Sequence, residues 1–389
     1  MMYLRPLSKI IVKSSKSVLL LGPRQTGKST LIKGLNPDLT INLSREKTFL
    51  DYASNPTLLE NTLAAGRIKS IFIDEIQRIP SLLNTVQSII DDSPKKYKFY
   101  LTGSSARKLK RGSANLLPGR IIAFNLSPLT IEELGADFNL KQALSTGTLP
   151  GIYSHANLKE KKLILSTYGA TYLKEEIQSE ALTKNIEGFS RFLFIAASKN
   201  AEFLDFAKMG ALANITQKTA SRFFEILDDT LIVHRLNAYA KSDFRRLIQH
   251  PKFYFFDNGV LNALLGNFNV SEDRKGMLFE TFVVNQIKSW ANSQAIDLRM
   301  STYRTDGGAE IDVILEADGK TLALEIKHTK NIGNSDVSAF TSFAKIHPQK
   351  FKKMLIYTGE HLQKINDVEI YPTIQGFKKI CEYFETRGH

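Results

Sequence analysis

A single cysteine, Cys381, in 389 residues excludes an intramolecular disulfide framework and a four-cysteine zinc cage. It fits a reducing compartment. Long apolar runs are missing as well. Near the start, Val18-Leu19-Leu20-Leu21 leads straight into a glycine-rich turn, so no signal peptide is expected. Nothing approaches the ~18 apolar residues of a membrane span, and a soluble cytoplasmic protein is the expectation. Acidic residues are in deficit: 39 Asp plus Glu face 52 Lys plus Arg, a net charge of +13. That surplus points to a polyanionic partner. Hydrophobic content of 43% and charged content of 23% exclude a disordered or collagen-like chain. At about 150 residues per domain, the length predicts two to three domains.

The first third alternates short apolar runs with helical stretches. Strands are predicted at 17–21, 40–43, 69–73, 98–101 and 120–126, with helices at 29–34 and 82–90 among them, a pattern of parallel α/β structure. Residues 128–181 read as mostly helical, broken by a turn-like stretch at 145–151. Three helices and two strands follow between 186 and 265, and the end of the chain opens with a helix and turns β-rich.

Gly22-Pro23-Arg24-Gln25-Thr26-Gly27-Lys28-Ser29 matches G-x-x-x-x-G-K-[ST] between a predicted strand and helix. Glycines let backbone N–H groups turn inward around phosphate oxygens, and the helix N-terminus adds its positive dipole end. Lys28 is expected to reach the β- and γ-phosphates of ATP and Ser29 to ligate Mg²⁺. Ile71-Phe72-Ile73-Asp74-Glu75 is an apolar strand ending in two carboxylates: Asp74 for the Mg²⁺ shell, Glu75 to polarise the attacking water. Tyr100 to Ser105 ends a further strand in polar groups, with Ser104 either sensing the γ-phosphate or its water, or capping a helix. A carboxylate at the water position favours hydrolysis over phosphoryl transfer to a small acceptor. Between Arg107 and Arg120 lie Lys108, Lys110 and Arg111 with no acidic residue. This run is a DNA-facing strip, an arginine finger (Arg111 or Arg120) for a neighbouring copy in a homo-oligomer, or a solvated face.

Residues 204–213 and 216–227, then strands at 232–236 and 252–256, follow the order of a winged helix-turn-helix. Thr216 is placed to cap the second helix, which exposes Gln217, Lys218 and Arg222 for groove or phosphate contacts. Lys241, Arg245 and Arg246 fall where a wing would touch DNA backbone. A winged helix used only for protein packing is the alternative.

Asp318-Gly319 is a two-residue hairpin signal between 311–316 and 321–327. With that loop, Asp312 lies opposite Glu325 and Glu310 opposite Lys327. Ile311, Val313, Leu315, Leu322, Leu324 and Ile326 then form an apolar layer on the other face. Opposed carboxylates ~4.5–5.5 Å apart at Cβ repel each other, and a cation between them relieves this. Their oxygens suit Mg²⁺ or Mn²⁺. Lys327 is placed to orient a water or stabilise phosphate charge, and Glu280 to add an oxygen. The alternative is a solvent-facing hairpin with a Glu310–Lys327 surface pair.

Taken in order, these segments resemble a family of bacterial and archaeal AAA+ ATPases with a C-terminal extension of uncertain function. The marks are Gly22–Thr30, 71–77, the sensor strand 101–105 and Leu117-Pro118-Gly119-Arg120, with 172–177 and 252–259 in the middle part. The resemblance implies nucleotide binding by Gly22 to Thr30, with Thr30 included. The end of the chain, Asp312 with Glu325-Ile326-Lys327, is similar to the PD-(D/E)XK nuclease core, which implies metal binding by Asp312, Glu325 and Glu280 and a catalytic role for Lys327. Ile311 stands where that core often has Pro. The implied architecture is α/β. A P-loop AAA+ parallel sheet occupies 1–127, a helical lid 128–185, a winged helix 186–268 and a restriction-endonuclease-like domain 269–389. An ATPase acting on DNA is the expected function, and a nucleotide-controlled switch docking a partner protein, with an inactive nuclease-like domain, is the alternative.

Overall fold

The computed structural model describes residues 3–93, 96–104, 118–169, 185–239, 250–347 and 349–385. Ser105, Arg107, Lys108, Lys110, Arg111, Lys241, Arg245, Arg246 and the segment 172–177 lie outside the described residues. The chain divides into two compact units. One comprises Met1–Leu129 with Ile226–Ile232 and Asn292–Ala295, and the other comprises Thr130–Glu225, Val233–Ala291 and Ile296–His389.

In the first unit the elements run α1 (Leu7–Lys13), β1 (Ser17–Leu21), α2 (Lys28–Lys33), β2 (Leu39–Asn42), α3 (Glu46–Ser54), α4 (Leu58–Ala65), β3 (Ser70–Asp74), α5 (Leu82–Asp92), β4 (Lys98–Gly103) and β5 (Ile121–Asn125). All strand pairings are parallel, in the order β2-β3-β4-β1-β5. Each predicted strand is found within two residues of its expected ends. Every residue of β1 is buried: Leu19 and Leu21 join Ile71, Ile73 and Leu101 on one side, while Val18 and Leu20 join Leu7, Ile11 and Phe72 on the other. Covering both faces is what makes such strands continuous apolar runs. Helix α3 had no such signal, because none of its residues is buried.

The second unit begins with α6 (Ile131–Leu134), α7 (Leu140–Thr146), α8 (Pro150–Tyr153), α9 (Leu158–Thr167) and α10 (Ile186–Ser198). Then come α11 (Phe206–Leu212), α12 (Gln217–Asp229, its last residues from Ile226 belonging to the first unit), β6 (Val233–Ala238), β7 (Lys252–Phe255), α13 (Asn258–Leu264) and α14 (Lys275–Gln294, its last residues from Asn292 belonging to the first unit). It ends with β8 (Arg299–Arg304), β9 (Glu310–Ala317), β10 (Lys320–Lys327), α15 (Ala339–Ile346), β11 (Lys352–Tyr357), β12 (Gln363–Ile365), β13 (Val368–Pro372) and α16 (Thr373–Glu385). Strand order is β12-β13-β11-β10-β9-β8-β6-β7. Because β6 pairs in parallel with β8 through Asn237–Ser301 and Ala238–Thr302, the β6–β7 hairpin continues the C-terminal sheet. The expected break between 268 and 269 therefore does not separate two sheets.

The β9–β10 ladder has the expected register, from Ala317–Lys320 to Val313–Leu324. Asp318 and Gly319 both take positive φ, as a tight hairpin turn requires. The alternative of a solvent-facing hairpin does not describe this face. The carboxylate-bearing face is not open to solvent: Ile314 and Ala323 on it are buried with Phe340, Phe343, Leu355 and Ile370, because α15 covers them.

The segment 252–259 docks on the end of α7. Asp257 caps α13 by accepting from Val260 N at 3.1 Å, and it accepts from Thr148 N at 2.7 Å. Gly147, at φ 70°, leaves room: a Cβ there would lie 2.0 Å from Asp257 Oδ1. Among the described residues, no helix is long and apolar enough to cross a membrane.

Candidate functional site

Strand β1 delivers the chain into a loop of left-handed turns, with Gly22 at φ 153°, Gln25 at 62° and Gly27 at 93°. Only glycine fits at 22, where a Cβ would meet the Leu126 carbonyl oxygen at 2.3 Å. The buried Lys28 donates from Nζ to the carbonyls of Gly22 at 2.8 Å and Pro23 at 2.9 Å. Thr26 is buried and donates to Pro23 O at 2.9 Å, while Gln25 and Thr30 are exposed and Arg24 and Ser29 are half-buried.

Three segments converge beside this loop. Ser29 Oγ donates to Asp74 Oδ1 at 2.8 Å, and Thr102 Oγ1 donates to the same oxygen at 2.5 Å. Glu75 takes a left-handed backbone at φ 60°, its N–H held by Thr102 Oγ1 at 3.3 Å. Its carboxylate accepts from the Gln77 side-chain amide, which also reaches Ser104 Oγ at 3.2 Å. Strand order explains the convergence: β4 lies between β1 and β3, so its polar end stands between the P-loop and Asp74. The hydroxyl and carboxylate oxygens of Ser29 and Asp74 are hard donors of the kind Mg²⁺ takes.

Three members of this site escaped the sequence reading. Arg5 donates to Thr26 O at 3.0 Å and to Ser127 O at 2.7 Å, tying the loop to the chain's start. Its only sequence signal was a charge ahead of α1. Thr102 and Gln77 lay inside recognised motifs without an assigned role. Arg120, a candidate finger, is engaged by Asp91 at 2.6 and 2.9 Å.

In the second unit Glu280 and Asp312 come together around a residue the sequence reading passed over, while Glu325 lies beside Asp312 and Lys327. Lys252 of β7, 4% exposed, brings Nζ to 2.6 Å from Glu280 Oε1, 3.1 Å from Glu310 Oε1 and 3.7 Å from Asp312 Oδ1. Tyr254 donates to Glu280 at 2.6 Å. Asp312 Oδ2 accepts from Ile326 N at 2.8 Å. Lys327 pairs with Glu325 at 3.1 Å. Of the alternative's Glu310–Lys327 surface pair, Glu310 instead meets Lys252 of β7 and, at 3.8 Å, Arg304 of the neighbouring β8.

Burial, then the Asp312 charge, pushes Glu280 up to about 6 despite Lys252 and Tyr254. The same two causes raise Glu325 well above the usual carboxylate range. Burial alone would lower the Lys252 ammonium, but Tyr254, Glu280, Asp312 and Glu310 outweigh it and hold it well above the usual lysine range. Among the described residues, no group of three His, Cys, Asp or Glu side chains is arranged to hold a metal ion.

Helix α12 starts as expected, with Thr216 Oγ1 accepting from Thr219 N at 3.2 Å. Gln217, Lys218 and Arg222 are exposed along it. With Thr216, Thr219 and Ser221 they line an open concavity of about 850 Å³.

A family model described as "AAA domain" matches residues 14–135. This stretch is an AAA-type P-loop domain. Residues 137–271 and 275–375 match two domains of unknown function, DUF8612 and DUF4143. An uncharacterized protein of Mycobacterium tuberculosis, Rv2008c, is 26% identical over 91% of this chain and 79% of its own length. An uncharacterized protein of Methanocaldococcus jannaschii, MJ1544, is 22% identical over 79% of this chain and 73% of its own. Among solved structures, a Thermotoga maritima RuvB variant is 19% identical with a TM-score of 0.27, covering 59% of this chain and 87% of its own. A replication initiator DnaA bound to AMPPCP and single-stranded DNA is 10% identical with a TM-score of 0.29, over 57% and 86%.

Proposed function

We propose that this chain is an Mg²⁺-dependent ATPase whose nucleotide state controls a second part that contacts DNA. The observation that carries the reading is the meeting of Lys28, Ser29, Asp74, Thr102 and Glu75 at the carboxyl ends of three neighbouring parallel strands. Loop N–H groups of 24–29 and the Lys28 ammonium bind the β- and γ-phosphates, Lys28 leaving the carbonyls of Gly22 and Pro23 to do so. Ser29 and Asp74 would hold Mg²⁺, which when bound would supply charge neutralisation on the phosphates. Glu75 accepts the proton of the attacking water as the water oxygen bonds to the γ-phosphorus. The bond from that phosphorus to the ADP oxygen breaks to give ADP and inorganic phosphate, and Ser104 orients the water or the γ-phosphate. The test is ATP turnover by Lys28→Ala. Its loss is expected, and unchanged turnover in a clean preparation refutes the assignment.

DNA contact rests on the net charge of +13 and on the exposed Gln217, Lys218 and Arg222 of α12. Affinity that falls steeply with salt is expected.

A second reading keeps the ATPase and makes the C-terminal fold a docking module that does not cut. The lysine standing among the carboxylates favours it. Incubating supercoiled and linear DNA with Mg²⁺ or Mn²⁺, with and without ATP, separates the two: cutting that needs Asp312 supports a nuclease, and intact DNA alongside Lys28-dependent turnover supports the switch.

A further inference from the structure

We infer that the carboxylate site of the nuclease-like fold carries a built-in cation, the Lys252 ammonium, in place of a divalent metal ion. The inference deepens the docking reading of that site and is independent of the ATPase.

A divalent ion of the Mg²⁺ kind takes oxygens at about 2.0–2.1 Å and needs a lone pair on each that no other cation holds. Here each carboxylate the fold offers already has a protein donor. Glu280 Oε1 accepts from both Lys252 and Tyr254. Glu310 Oε1 accepts from Lys252. One oxygen of Asp312 accepts from Ile326 N, and the other faces Lys252. Glu325 is paired with Lys327. An ammonium has three N–H donors and no acceptor, and three carboxylates surround this one.

The lysine is built in rather than a surface side chain that has swung inward. It starts a strand buried along its length. It bridges to Phe203 across the backbone, and its Nζ lies 5.9 Å from the centroids of both Phe203 and Tyr254. Arg304 lies over the same Phe203 ring at 4.8 Å. A metal ion entering this ring would meet a fixed positive charge. The cluster instead rivets β7, from the 137–271 region, to α14 and β9 of the 275–375 region, so the oxygens of a metal site serve as an internal clamp.

The test is titration of Mn²⁺ into the nucleotide-free full chain, followed by electron paramagnetic resonance. Wild type and Asp312→Asn are expected to bind the same number of ions, since any Mn²⁺ near Asp74 is common to both. Lys252→Met is expected to gain a site that the added Asp312→Asn removes. Wild-type Mn²⁺ that disappears in Asp312→Asn overturns the inference, and so does a folded Lys252→Met that gains no site. Wild type carries the test if Lys252→Met does not fold. The readout is metal occupancy, so loss of ATP turnover leaves it untouched, and intact DNA alone does not satisfy it.

Discussion

Glu75 accepts a hydrogen bond from the side-chain amide of Gln77, two residues further along the same turn. The bond holds the carboxylate beside Ser104, to which the same amide donates. Glu75→Gln is expected to lower the ATP turnover number by about 10²-fold or more, the usual contribution of a general base, with nucleotide affinity retained. Gln77→Ala acts through Glu75 and is expected to cost less, about tenfold, again in kcat rather than KM. A rise in KM with kcat intact would assign Gln77 to binding instead.

Arg5→Ala removes two hydrogen bonds from a guanidinium to main-chain carbonyls, each typically contributing about 1.5–3 kcal/mol when charge-assisted. Because Arg5 is half-buried, a loss of about 1–3 kcal/mol in all is expected from urea unfolding. ATP is expected to bind more weakly, since Thr26 is no longer held.

Burial pushes the Asp257 carboxyl up to about 6, against N–H groups of Thr148, Val260 and Gly259 that lower it. An unperturbed aspartate titrates near 3.8, so between these values the folded chain holds a proton that the unfolded chain has released. The stability this group supplies is complete below the lower value and is lost as pH rises through the upper one. The size is on the order of 3 kcal/mol. Asp257→Asn is expected to remove that component, so the stability difference between variant and wild type, measured by urea unfolding, should move in the variant's favour from about pH 4 to pH 7.

If α12 contacts DNA phosphates, Lys218→Gln and Arg222→Gln are expected to weaken binding across all sequences alike. Each should reduce the slope of log affinity against log salt by about 1. Fluorescence anisotropy at several salt concentrations measures this, and unchanged slopes in both variants would remove α12 from the interface.

Much of the first unit was legible because its information is local. Gly22, Gly27, Lys28 and Ser29 sit in one short motif, and strands buried on both faces announce themselves as apolar runs. The Asp318-Gly319 turn likewise dictated the β9–β10 register. Lys252 was illegible for the opposite reason. As the first residue of Lys252-Phe253-Tyr254-Phe255 it reads as a strand's polar end, and its partners Glu280, Glu310 and Asp312 are distant in the chain. A lysine on the same face as Tyr254 in an otherwise apolar strand demands a counter-charge, and that was the available signal. Arg5 was hidden in the same way, since its acceptors are main-chain carbonyls that no side-chain pattern marks.

The placement of β4 between β1 and β3 has a consequence for how this chain acquires its site. Strands β1 and β3 leave the ribosome first, yet they are joined in the sheet only through residues 98–103, which lie between them. Thr102 reaches Asp74 only once those residues are in place, so pairings distant in sequence must close before the nucleotide pocket exists. During synthesis, ATP competence should therefore arrive abruptly with β4. Bound nucleotide is expected to act as a late fastener of the parallel sheet, its stabilisation of the native form growing with the logarithm of its concentration.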